Sequence, residues 1–203
     1  VSVADLNPEE VRNLTTGEPG TTVTMTIQRY GIDNPLEFTL ERERVEVNNV
    51  AYSGFVGEKQ NIGYILLSRF SQNAAGEVRA ALEELQSQKE LTGLVLDLRN
   101  NPGGLLDEAV NLVDKFVSQN KMVVETRGRL SQHNNSFSTK ETPIAPNLPL
   151  AVLQNGGSAS ASEIVAGAMQ DMDRAVIMGE QSFGKGLVQV VRPLSYNTAL
   201  KLT

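Results

Sequence analysis

The sequence has no cysteine and no tryptophan, and its only histidine is His133. The absence of cysteine excludes disulfide bonds, thiol catalysis and cysteine-based zinc sites. His133 lies in the polar stretch 130–136, where a histidine side chain is usually solvated, so a histidine-dependent triad is the less favoured alternative for any catalytic base. We expect no cofactor and no metal ion.

Two further absences restrict the partners of the chain. No apolar run approaches the roughly 18 residues that a membrane-spanning helix needs. The formal net charge is −6 and Lys and Arg do not cluster, which argues against nucleic acid or an anionic membrane surface as the main partner. At 203 residues and 40% hydrophobic content, the chain can bury the core of one medium-sized domain and part of another.

The N-terminal region predicts one short helix and two strands. Asn7 is a typical helix cap, Pro8 suits the first turn, and the acidic side chains that follow suit the positive end of the helix dipole. Alternating apolar and polar residues then predict strands at 22–29 and 36–42, joined through turn residues.

From about residue 52 onward, predicted strands alternate with amphipathic helices, which favours an α/β fold with a mostly parallel sheet. The polar segment 127–147 is predicted to be a long loop, flexible and close to the functional site. The predicted strands are 62–67, 94–98, 122–124, 150–153, 175–178 and 187–192, and the predicted helices are 74–85, 105–117 and 160–171.

Two motifs of small residues suggest chemistry. The run 155–164, Asn-Gly-Gly-Ser-Ala-Ser-Ala-Ser-Glu-Ile, holds three serines, and Lys185 lies downstream in the glycine-flanked Phe-Gly-Lys-Gly. A serine hydroxyl is a weak nucleophile until a base removes its proton. A lysine can be that base only when burial lowers its pKa, and the immediate sequence neighbours of Lys185 are small or apolar with no acid among them.

These motifs resemble those of the carboxyl-terminal processing proteases, also called tail-specific proteases, in which a serine of an SASASE-type run works with the lysine of FGKG. The spacing of 25 positions between serine and lysine in that family points to Ser160 as the nucleophile and Lys185 as its base. The resemblance also implies that Gln189 orients the lysine amine. If 187–192 is a strand, Lys185, Leu187 and Gln189 share one face.

An oxyanion hole requires backbone N–H groups that point at a developing negative charge. Ala161 follows the expected nucleophile at the start of a predicted helix and supplies one such group. The second donor is expected from the segment 97–104, Asp-Leu-Arg-Asn-Asn-Pro-Gly-Gly, which is similar to an element of the same family. Gly103 and Gly104 are both candidates for this donor.

The resemblance implies an overall organisation as well. Residues 49–203 would form a peptidase core with a crotonase-like α/β fold, and residues 1–48 would form the C-terminal half of a PDZ domain, with both ends of the chain truncated. The implied function is a serine endopeptidase that cleaves unfolded proteins or peptides near their C-termini. An extracytoplasmic location, in the periplasm or cell envelope, is also implied.

Two alternatives remain open at this point. Interphotoreceptor retinoid-binding proteins share the fold but bind hydrophobic ligands without proteolysis, which would require a large apolar pocket. The chain could also be an inactive scaffold whose PDZ part recruits partners. A PDZ groove captures a peptide tail by strand addition. The strand that would pair with the peptide is not in this sequence, so we expect little discrimination between peptide tails.

Overall fold

The computed structural model describes residues 2–44, 48–196 and 198–203 and separates two compact units, Val1–Val47 and Asn48–Thr203. In the first unit, helix α1 (Pro8–Thr15) begins as predicted, because the Asn7 side chain accepts the N–H groups of Glu9 and Glu10 at 3.0 Å each. Strands β1 (Thr22–Ile27) and β2 (Leu36–Glu41) follow and pair antiparallel. The assignment of this unit to half of a PDZ domain stays a prediction.

The second unit is built on a five-stranded sheet with the order β3-β4-β5-β8-β9. Strand β3 runs antiparallel to β4 at one edge, and every other pairing in this sheet is parallel, as the alternation of strands and helices predicts. The strands of the unit are β3 (Val50–Val56), β4 (Ile62–Leu67), β5 (Gly93–Asp97), β6 (Met122–Thr126), β7 (Asn135–Ser138), β8 (Leu150–Gln154), β9 (Val176–Gly179), β10 (Val190–Pro193) and β11 (Ala199–Leu202).

Helices α2 (Ala74–Gln88), α3 (Leu106–Val113) and α4 (Ala161–Asp171) enclose one hydrophobic core with alternate residues of the sheet. Side chains of successive strand residues point to opposite faces, and in β4 and β5 the buried set includes Ile65, Leu67, Leu94 and Leu96. Between them, side chains such as Tyr64 are only partly buried. In the described ranges, no helix combines the length and apolar character that crossing a bilayer requires.

Several predicted elements end or begin elsewhere, among them α3 and the strand predicted at 187–192. Helix α3 ends at Val113 rather than at Val117. The next residue, Asp114, is buried, and its carboxylate accepts the N–H groups of Lys140 and Glu141, at 2.6 and 3.2 Å. The predicted strand 187–192 starts only at Val190, where pairing with β11 begins. Lys185, Leu187 and Gln189 therefore do not share the face of one strand.

The segment 127–147 is not the unbroken loop that its composition predicts. It contains a short 3-10 turn (Ser131–His133) and β7, which pairs with β6. Thr139 and Ala145 within it are buried, and the Arg174 side chain donates to the carbonyl of Ala145 at 2.7 Å. The Thr139 hydroxyl also donates to the Ser118 carbonyl at 2.7 Å, so both main-chain and side-chain polar groups of this segment form hydrogen bonds that composition alone does not reveal.

Candidate active site

Ser160 lies in the sharp turn that joins the loop after β8 to α4. Its backbone dihedrals are φ 57° and ψ −112°, a conformation that residues other than glycine rarely adopt and that usually persists only where surrounding contacts enforce it. Its N–H donates to a carboxylate oxygen of Glu163 at 2.7 Å, and the Glu163 N–H donates to the Ser160 carbonyl at 2.9 Å. Both the N–H and the carbonyl group of Ser160 are therefore hydrogen-bonded to Glu163, which fixes the turn.

The two flanking serines are used in structure. The Ser158 hydroxyl donates to the Leu98 carbonyl at 2.8 Å, and the Ser162 hydroxyl donates to the Asn101 carbonyl at 2.9 Å. Both residues are 1% exposed, whereas Ser160 is only partly buried. In the part of the chain that the structure describes, the Ser160 hydroxyl donates no hydrogen bond. Of the three serines, Ser160 is the one whose hydroxyl is left available for chemistry.

The loop after β5 packs directly against this turn, and buried Asn101 fixes it there. The Asn101 side chain donates to the Leu67 carbonyl at 2.8 Å and accepts the Gly103 N–H at 2.9 Å, while its main-chain carbonyl accepts the Ala159 N–H at 3.0 Å. Asn155 adds a second connection, because its side chain accepts the Asn100 N–H at 2.9 Å.

Gly103 has φ +91°, and a Cβ built on it would lie 2.7 Å from the Ala161 nitrogen and 2.8 Å from Ser160 Cβ. Gly104 is equally constrained, because its Cβ would lie 2.2 Å from the Phe70 carbonyl oxygen. The two glycines differ in their N–H groups. That of Gly103 donates to Asn101, whereas, within the described residues, those of Gly104 and Ala161 donate to no acceptor.

A hydrogen-bonded cluster around the buried Asp97 carboxylate anchors the start of the same loop. The Asp97 carboxylate is 1% exposed and accepts the Arg99 guanidinium at 2.6 Å and the Tyr64 hydroxyl at 2.6 Å. Burial raises the pKa of Asp97, but the hydrogen bonds from Arg99 and Tyr64 outweigh it and hold this pKa below its ordinary value. The carboxylate is therefore ionised at neutral pH, and it fixes the Arg99 side chain at the start of the loop that follows β5.

The segment that carries Lys185 is held to the serine turn by Glu163. Its carboxylate accepts the Ser182 hydroxyl at 2.8 Å and the Gly184 N–H at 2.6 Å on one oxygen, and the Lys185 N–H at 3.0 Å on the oxygen that also accepts Ser160. Burial raises the pKa of Glu163, but these hydrogen bonds outweigh it, so the pKa lies below its ordinary value. Sequence reasoning missed this role, although Ser160 and Glu163 form the Ser-x-x-Glu pattern of a capping box.

The remaining expected site residues are not all brought together. Lys185 is partly buried, and no hydrogen bond joins its amine to the Ser160 hydroxyl among the described residues. The Gln189 side chain donates to the Thr203 hydroxyl at 3.2 Å, and among the described residues it forms no hydrogen bond with Lys185. His133 lies in the exposed turn before β7 and its ring approaches Gln132, at 3.5 Å. Over the described ranges, no group of His, Asp or Glu is arranged to hold a metal ion.

The family model and the relatives found by comparison with known proteins are all described as peptidases or proteases. The family model described as "Peptidase family S41" matches residues 61–203. The chain is 45% identical over 190 residues to a "Carboxy-terminal-processing protease" of Bartonella bacilliformis, covering 92% of this chain and 43% of that protein. It is 39% identical over 204 residues to a "Carboxyl-terminal-processing protease" of Synechocystis sp., covering 100% and 47%. The chain thus spans less than half the length of these two curated relatives.

Solved structures agree in fold. The photosystem II D1 C-terminal processing protease superposes with a TM-score of 0.63 at 34% identity, over 92% of this chain and 50% of that chain. A putative S41 protease from Bacteroides fragilis gives a TM-score of 0.64 over 90% and 54% of the two chains. At 19% identity, this second likeness concerns the fold alone.

The packing of Gly103 leads to a first prediction. Gly103→Ala introduces a side chain at positive φ and against the Ala161 nitrogen, so we expect the free energy of unfolding to fall by about 2 kcal/mol or more. Gly167→Ala is the matched control, because a Cβ at this position in α4 meets no atom within 4 Å and should stabilise the helix by about 0.5–1 kcal/mol. Urea denaturation of both variants measures the difference. A Gly103→Ala protein as stable as the unsubstituted chain would contradict the described packing.

Proposed function

The chain belongs to peptidase family S41, and from this premise we propose that it is a serine endopeptidase with Ser160 as nucleophile and Lys185 as general base. The observation that carries the proposal is the difference between the three serines. Ser158 and Ser162 are buried and donate to main-chain carbonyls, whereas Ser160 lies partly exposed at a strained turn to which the Lys185 peptide is attached through Glu163.

The proposed reaction has two steps. The Ser160 oxygen attacks the carbonyl carbon of the scissile peptide while the neutral Lys185 amine takes the hydroxyl proton. The tetrahedral intermediate then collapses: the C–N bond breaks, the leaving amine receives the proton from Lys185, and an ester to Ser160 remains. In the second step Lys185 takes a proton from water, whose oxygen attacks the ester, and Ser160 is released with its proton restored.

The oxyanion is expected to bind the N–H groups of Ala161 and Gly104. Gly104 is preferred to Gly103, because the Gly103 N–H already donates to buried Asn101 and would have to give up that bond. Helix α4 adds to this stabilisation, because its N-terminus carries partial positive charge next to Ser160.

The dyad requires the Lys185 amine to come within about 2.6–3.2 Å of the Ser160 hydroxyl, and catalytic hydrogen bonds of this kind often tighten only when substrate binds. The role of Gln189 as the residue that orients the amine stays a prediction from the family resemblance. It would require the Gln189 side chain to exchange its bond with Thr203 for one with Lys185.

We further propose protein or peptide substrates cleaved near their C-termini. The support is the name of two relatives, which refers to carboxyl-terminal processing in those proteins. An extracytoplasmic location also stays a prediction.

The alternative of a non-proteolytic ligand-binding protein is less well supported. Two surface cavities, of about 380 and 530 Å³, are lined in part by charged side chains such as Arg127 and Arg174, unlike a large apolar pocket.

Substitution of each serine tests the nucleophile. Ser160→Ala should lower cleavage of an unfolded polypeptide by about 10³-fold or more, because the proposed ester forms on the Ser160 oxygen. Ser158→Ala and Ser162→Ala are the controls: each removes one of two donors to a main-chain carbonyl, because the Leu98 carbonyl also accepts the Asn101 N–H and the Asn101 carbonyl also accepts the Ala159 N–H. Each should cost about 0.5–1.5 kcal/mol of stability, while much more activity remains. Equal losses of activity at all three serines, or none at Ser160, would refute the assignment.

Substitution of Lys185 tests the base. Lys185→Arg should be inactive, because a guanidinium stays protonated at any pH at which the protein is folded. Lys59→Arg, at an exposed position in the turn between β3 and β4, controls for the general effect of the exchange. The measurement compares the steady-state cleavage rates of these two variants with that of the unsubstituted chain. A Lys185→Arg protein that still cleaves would show that another group is the base, and His133 would then be the next residue to test.

A pair of peptides tests recognition of the substrate C-terminus. Residues 1–203 should cleave a peptide with a free C-terminal carboxylate and the same peptide with an amidated C-terminus at similar rates. We expect this from the proposed assignment of residues 1–48 to the C-terminal half of a PDZ domain, because tail capture by strand addition uses a peptide-pairing strand of the other half. Rates are measured by chromatography of the products. A strong preference for the free carboxylate would place the tail receptor within residues 49–203.

A further inference from the structure

Glu163 occupies a position that the proposed chemistry does not yet use. Its carboxylate lies in the first turn of α4, where the helix dipole favours a negative charge. One oxygen accepts the N–H groups of Ser160 and Lys185, at 2.7 and 3.0 Å, and the other accepts the Ser182 hydroxyl and the Gly184 N–H, at 2.8 and 2.6 Å. A single side chain therefore joins the peptide of the expected nucleophile to the peptide of the expected base.

Few other interactions fix the segment that carries Lys185. Residues 181–189 form no helix or strand, and the side chains of Phe183 and Leu187 are 67% and 65% exposed, so packing contributes little. Besides the bonds to Glu163, the described main-chain bond from this segment to the serine turn runs from the Phe183 N–H to the Ser158 carbonyl at 3.0 Å. The position of Lys185 relative to Ser160 thus depends mainly on Glu163.

The same four hydrogen bonds also determine whether the Glu163 carboxylate has an acceptor site left for the Lys185 amine. An ionised carboxylate has about four lone-pair sites, and in Glu163 four donors occupy them. A carboxylate with free acceptor sites near Lys185 would pair with the amine and keep it protonated. Within the described residues, Glu163 and Lys185 form no ion pair. The carboxylate can therefore hold the lysine peptide without binding the lysine amine.

We propose that Glu163 is a positioning residue for the Ser160–Lys185 pair: its ionised carboxylate fixes the main chain of the base against that of the nucleophile. The inference rests on the proposed function for its catalytic consequence, but the connection between the two segments is a property of the folded chain and is testable without activity. Glu163 itself touches no reacting atom in the proposed reaction.

Glu163→Gln separates this role from that of a simple helix cap. A capping box accepts Gln as well as Glu, so a residue that only caps α4 should tolerate the exchange. In the positioning role it should not, because the Gln amide presents an NH₂ donor in place of one oxygen. With the NH₂ turned towards Ser160 and Lys185, both of their N–H groups lose their acceptor. With it turned towards Ser182 and Gly184, the Gly184 N–H loses its acceptor, while the Ser182 hydroxyl can rotate to accept.

We expect Glu163→Gln to lower kcat by about 10²-fold with little change in KM, as a misplaced catalytic group does. Glu163→Asp keeps the charge and should retain more activity than Glu163→Gln. Glu180→Gln is the matched control, because it removes an exposed carboxylate from the same part of the chain and should leave kcat unchanged. A Glu163→Gln enzyme with the kcat of the unsubstituted chain would overturn the proposal.

Amide hydrogen exchange supplies the readout that does not need activity. In Glu163→Gln, the amides of Gly184 and Lys185 should exchange at least about tenfold faster, while amides of β8 and the melting temperature change little. Unchanged exchange at Gly184 and Lys185 would overturn the proposed connection. If the unsubstituted chain proves inactive, the proposed function fails, and the exchange data still decide whether Glu163 holds the two segments together.

Discussion

The candidate site depends on one hydrogen-bonded seam between the loops that follow β5 and β8. Neighbouring parallel strands bring their C-terminal ends to the same edge of a sheet, so these two loops meet there. Buried Asn101 then joins them: its carbonyl accepts the Ala159 N–H and the Ser162 hydroxyl, and its side chain reaches back to β4. The strained backbone of Ser160 can persist because contacts on both sides of it are fixed in this way.

The seam explains why small residues are needed along it. At Gly103 and Gly104 any side chain would overlap main-chain atoms of the serine turn or of Phe70, so the loop can approach only without Cβ atoms. The close approach places Gly103 against Ser160 and Ala161, and in the part of the chain that the structure describes the N–H groups of Gly104 and Ala161 donate to no acceptor. Glycine in these positions thus serves geometry first, and the chemistry proposed for the site depends on that geometry.

The periodicity of apolar residues predicted the sheet and helices well, because an element that buries one face needs apolar residues at its own period. Strand 62–67 and the helix after Ser160 are found within a residue of the expected limits. The strand predicted at 187–192 starts later, since a strand also needs a partner and pairing with β11 begins only at Val190. The choice between Gly103 and Gly104 and the partners of Glu163 were beyond sequence reasoning, because they depend on contacts with residues distant in the chain, such as Asn101 and the 182–185 segment.

A lysine base next to a carboxylate presents a general electrostatic difficulty. A serine protease of this type needs its lysine neutral, yet a nearby negative charge favours the protonated amine. The structure suggests how both can coexist. The Glu163 charge is met by main-chain N–H groups, a serine hydroxyl and the start of a helix, all of which stabilise a carboxylate without carrying a full positive charge themselves. A carboxylate compensated in this way can join the two segments of the candidate site and, among the described residues, forms no ion pair with Lys185.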